Sequence, residues 1–140
     1  MVEMDWKMYQ KTMGYSDEEM ENFKKDPRKS KVAEKIFSEA IWHKVIAEVV
    51  KSHGCSAGHR VGTKFVLNGA AALLTRECPE YTCIFALHPL TIFAAIVWDR
   101  ITEGIDPNGM VADHLSCIDA GVDCGGYGQI VMKVRVEKVL

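Results

Sequence analysis

The sequence has no C-x-x-C pair, no H-E-x-x-H and no close run of cysteines of the kind that wraps a cluster. It also has no G-x-x-x-x-G-K-[ST] loop and no G-x-S-x-G elbow, so neither a phosphate cradle nor a strand–turn–helix serine nucleophile is in view. Charge of one sign is missing too. Seventeen Lys and Arg against nineteen Asp and Glu leave a net charge of −2, and the bases mix with acids, as in Glu21–Arg28. That gives no electrostatic reason to expect nucleic acid. The longest apolar run, Ile84 to Trp98, is broken by His88, Pro89 and Thr91. It falls short of the roughly 20 residues of a spanning helix, so a buried helix is expected rather than a membrane segment. Met1–Trp6 is acidic, without the apolar stretch of a secretory leader, and the expected compartment is the reducing cytoplasm.

What is present is cysteine and histidine. Cys55, Cys78, Cys83, Cys117 and Cys124 all follow residue 54, and His53, His59, His88 and His114 interleave with them. An odd count in a reducing compartment argues against a disulfide framework. Metal or thiol chemistry gains weight instead. Cys55-Ser-Ala-Gly-His59 sets a soft thiolate and an imidazole four residues apart, a donor pair suited to zinc or iron. Cys78 and Cys83 bracket Pro79, where a helix start would favour the thiolate. Cys117 and Cys124 flank a segment running into Gly125-Gly126, which lets backbone approach a ligand closely. The candidate metal ligands are therefore Cys55, His59, Cys78, Cys83, Cys117 and Cys124. His88 and Asp119 are candidate pocket-lining residues. Cys55, Cys78 and Cys117 are expected to share one site.

The local patterns predict an α+β fold: a helical N-terminal arm over 1–42, then a domain over 43–140 with a mainly antiparallel sheet packed on one buried apolar helix. Met4, Met8 and Met13 suggest an amphipathic first helix stopped by Gly14. Ser16-Asp-Glu-Glu19 reads as a capping box, and a further helix is expected from Pro27 to Ile41. Strands are expected at Lys44–Val50, Lys64–Leu67, Val111–Asp119 and Gly128–Lys138. Asn68-Gly69 suggests a tight hairpin with Ala71–Thr75 returning as partner. The apolar helix is expected over Tyr81–Glu103, opened by Cys78-Pro79 and kinked or divided at Pro89. The β-branched first strand, Val45–Val50, is expected to pair with Ile130–Val136.

Residues 44–138 resemble a short prokaryotic family of uncharacterised proteins. The resemblance rests on Cys55-Ser-Ala-Gly-His-Arg-Val-Gly62-Thr-Lys-Phe65, on Cys78-Pro79 with Ala86, Leu87 and Pro89, and on Cys117-x-Asp119-x-Gly121 before the last strand. Cys83, Cys124 and the helical arm fall outside it. It implies one fold and a Cys55/Cys78/Cys117 site, and no reaction.

Three functional readings follow. The first is a small cytoplasmic metal- or iron–sulfur-binding protein, carrying a cluster or zinc and serving as a redox carrier or accessory subunit of a larger enzyme. The second is a small enzyme with a Cys/His site acting on a small organic substrate. The third is an interaction module with structural cysteines. Self-association is expected in each, because an amphipathic arm and a very apolar helix both need covering.

Overall fold

Three short helices come first in the computed structural model, which describes residues 3–139. Helix α1 spans Trp6–Met13, α2 spans Asp17–Lys24 and α3 spans Pro27–Ser38. Each begins on a side chain that accepts orphan backbone N–H groups. Asp5 takes those of Lys7 and Met8, Ser16 and Glu19 form the expected reciprocal box, and Asp26 takes that of Arg28. Gly14, at φ +72°, ends α1 as expected. The methionine face does not hold: Met8 and Met13 are exposed. Tyr9 is buried instead, with Met20 and Ala33, and Trp6, Tyr15 and Phe23 pack around them. Aromatic rings bury more area per residue than thioethers, so they set the inward face.

A single 3-10 turn, Ala40–Trp42, leads into the sheet. Strands β1 (His43–His53), β2 (Lys64–Asn68), β3 (His114–Ser116) and β4 (Gln129–Lys138) lie in the order β2-β1-β4-β3, every neighbour antiparallel. The expected pairing of the first and last strands is present, with Val45 opposite Val136 and Val49 opposite Met132. A register shift between Val49 and Lys51 bends the far end of β1. Strand β4 alternates: Ile130, Met132, Val134 and Val136 are buried, while Arg135 reaches Glu48 on the other face at 3.3 Å. Helices α4 (Ile84–Leu87) and α5 (Leu90–Thr102) cover the apolar face through Leu90, Phe93, Ala94, Val97 and Ile101. The fold is α+β, with the helices of the arm before the sheet. Residues 1, 2 and 140 of the two expected ranges lie outside the described residues.

Several expectations fail locally. Ala71–Thr75 is not a strand and makes one bridge, Leu67 to Leu73. The Asn68 side chain accepts the N–H groups of Ala70 and Ala72, which coils the chain there. Cys78-Pro79 does not open the helix. The Thr82 hydroxyl bonds the Pro79 carbonyl in a turn, and α4 starts five residues later with Cys83 as its N-cap residue. Pro89 does divide the helix, sitting between α4 and α5. The strand expected over Val111–Asp119 shrinks to three residues, since the Asp119 carboxylate gathers a loop. The apolar helix is buried on one side only: Ile84, Phe85, Ile92 and Ile96 are exposed. Among the described residues, Ile84–Thr102 is the one helical stretch long and apolar enough to cross a membrane by length and composition.

Candidate functional site

The far end of β1 gathers four of the eight candidate residues, Cys55, His59, Cys83 and Cys117, and His59 is their hub. The loop after β1 turns back at Cys55, whose carbonyl accepts the Gly58 N–H at 3.1 Å. That reversal drops His59 against the sheet, where it is 3% exposed. The Ser52 hydroxyl donates to the His59 carbonyl at 2.6 Å, and the ring stands edge-on to Phe65 at 4.9 Å. His59 Nε2 accepts the Cys83 backbone N–H at 3.1 Å. A neutral ring that accepts at Nε2 carries its proton on Nδ1. Burial lowers the His59 pKa, and protonation would set one donor against another.

From Cys83 the contacts continue around a circuit. Helix α4 offers the Phe85 carbonyl to the Ile118 N–H at 3.4 Å. Next to Ile118, the Cys117 N–H donates to the Ile130 carbonyl and the Cys117 sulfur accepts the Ile130 N–H at 3.4 Å. Ile130 lies opposite Ser52, which returns the path to His59. Cys55, Cys83 and Cys117 all pack partly buried against the main core. Cys55 and His59 also line an open cavity of about 410 Å3 with Ser52, Gly58, Arg60 and Val61.

The other candidates sit elsewhere. The Cys78 sulfur accepts the Val66 N–H at 3.3 Å on the outer edge of β2. Val66 lies opposite Ile46, whereas Cys117 lies in the Ser52 row. That separation is roughly 17–20 Å along β1 before the intervening strands are counted. Cys78 therefore does not share a site with Cys117, and it has no helix start behind it. Cys124 is exposed on the turn Val122–Cys124. His88 is exposed at the end of α4 and does not line the Cys55 cavity. Asp119 is a loop organiser: its carboxylate accepts from Gly121, Tyr127 and Gly128 at 2.9, 2.9 and 3.2 Å. Those bonds, with Gly121 the largest influence, hold its carboxyl below the usual range.

No protein-family model, curated protein or solved structure matches this chain. Among the described residues, no three His, Cys, Asp or Glu side chains are grouped so as to hold a metal ion. His59 Nε2, the nitrogen nearest Cys83, already spends its lone pair on a backbone N–H. The arrangement is a recess bordered by one thiol, Cys55, beside a buried imidazole held by the Cys83 N–H, and among the described residues it is not a formed metal cage. Arg60, which borders this recess, is what the motif reading missed; its place directly after His59 is the only signal for it.

Proposed function

We propose that the protein acts on a small organic molecule taken into the recess at the end of β1, with Cys55 as the thiol that meets it. The observation that carries this reading is the cavity itself. At about 410 Å3 it falls within the size range of small-ligand sites, and Cys55, His59 and Arg60 are among the residues that line it. Arg60 suits a ligand with an acidic group. His59 holds the recess in shape by tying its loop to α4, and its occupied Nε2 keeps it from serving as the base for Cys55 through that nitrogen.

A thermal-shift panel of small organic acids tests this. A compound should raise the melting temperature of the wild type and lose its effect in Arg60→Ala and Cys55→Ser. A panel without a hit, or hits indifferent to both substitutions, would remove the reading.

A second reading is favoured by Cys55, Cys83 and Cys117, partly buried against the core and linked through the contacts of His59 and Ile130. Soft thiolates recruit zinc or an iron–sulfur cluster, and such a protein would serve as a redox or accessory subunit. Anaerobic purification with metal analysis separates the two. Metal retained by wild type and by Cys78→Ser but lost from Cys83→Ser supports the second. Metal-free protein in every case supports the first. Under either reading, the uncovered side of α4 and α5 is proposed to meet a second copy of the chain.

A further inference from the structure

The helical arm has a core of its own. Tyr9, Met20 and Ala33 form it, with Trp6, Tyr15 and Phe23 packed around them, and it is separate from the core between the sheet and α5. The arm also caps its own three helices, through Asp5, Ser16 and Asp26. Among the described residues, one hydrogen bond joins residues 3–38 to residues 43–139, from Lys31 Nζ to Glu103 at 2.8 Å. Both side chains of that ion pair are nearly half exposed, and such a pair holds little in water.

The packing of the arm on the body is incomplete as well. A cleft of about 630 Å3 lies between them, bordered by Val32 and Ile36 of α3 and by Ala95, Trp98 and Thr102 of α5. A gap there forfeits contacts that a closed fit would make. Trp98 Nε1 and Thr102 Oγ1 are buried with no partner among the described residues, so the packed state satisfies neither. Helix α3 ends at Glu39, where the backbone leaves the helical region at φ −133° and ψ −57°, and no side chain caps the turn that follows. A unit with its own core, one exposed polar tie and an ill-fitting seat is of the kind that opens locally, well below the cost of global unfolding. We propose that the arm is a hinged lid, which pivots at Glu39 and lifts off α5 while α5 and the sheet stay folded. Opening uncovers Thr102 and widens the apolar strip that Ile92 and Ile96 already show to solvent. The position of the arm then sets how much apolar surface α5 offers to a second chain.

Two cysteine reporters on the same helix test this in the full chain. Thr102→Cys sits on the cleft side of α5 at a position 4% exposed, and Val97→Cys sits in the main core at a position 0% exposed. Pulsed iodoacetamide labelling of the folded variants, read by peptide mass spectrometry, separates them from the native cysteines. Thr102→Cys should label at least roughly ten-fold faster than Val97→Cys. Its rate should change little with urea below the unfolding transition, because a local opening exposes little surface. Adding Glu103→Lys, which sets two cations together at the tie, should speed labelling at 102 and leave 97 unchanged. Circular dichroism confirms that each variant is folded, and Ala33→Cys, which borders the cleft from α3, replaces Thr102→Cys if that chain does not fold. Equal rates at the two positions with one shared urea dependence would overturn the proposal, as would labelling at 102 that Glu103→Lys does not speed.

Discussion

His59 shows how one buried side chain can organise a site without reacting in it. Replacing it by Phe keeps the ring against Phe65 but strands the Cys83 N–H. The expected cost is about 1–3 kcal/mol, read by urea unfolding. Its titration gives a separate check. The folded pKa lies below the ordinary 6.5, so the unfolded chain takes up the proton first. The stabilisation is full above pH 6.5 and is lost as pH falls toward the folded value. Melting temperature should therefore drop below that pH in wild type, and less in His59→Phe. The Asp119 carboxyl also lies below its ordinary value of 3.8, and its contribution fails in a lower window as pH falls through the folded pKa. A third residue-level test is Gly128→Ala. A Cβ there would overlap the Gly54 carbonyl, which is backbone and cannot step aside. Strong destabilisation is expected, and a melting temperature equal to wild type would show that the loop over Gly54 sits differently.

At the scale of elements, the parts legible in the sequence are those where local chemistry and burial agree. The Ser16–Glu19 box, the stop at Gly14 and the alternation of Ile130–Val136 each state one structure. Ser16→Ala should cost about 1 kcal/mol in thermal unfolding without altering reactivity at Cys55. Misreadings arose where one residue suits two structures. Pro79 fits a first helical turn, but it fits a turn closed by Thr82 equally well, and only the start of the apolar run at Ile84 distinguishes them. Asn68-Gly69 suits a tight hairpin, yet Gly69 is packed against the Ala40 carbonyl and the Asn68 side chain bonds two downstream N–H groups. The site was legible as a list of residues but not as a place. Which cysteines meet depends on register across β1, β2 and β4, and sequence spacing carries no information about that.

For the whole molecule, the sheet keeps a charged face outward and an apolar face under α4 and α5, and those helices in turn present apolar residues to solvent. Ile84, Phe85, Ile92 and Ile96 are all exposed. Light scattering after size exclusion should give a dimer or larger species, and Ile92→Glu should shift it toward monomer. A monomer at high concentration would show that this face tolerates water. The central claim is that Cys55, Cys83 and Cys117 share one end of the sheet with His59 while Cys78 stands apart. Phenylarsine oxide bridges neighbouring thiols, and peptide mass spectrometry of the treated, folded chain shows which ones. Bridges are expected among Cys55, Cys83 and Cys117, with Cys78 unbridged; a bridge through Cys78, or none among the other three, would contradict this placement.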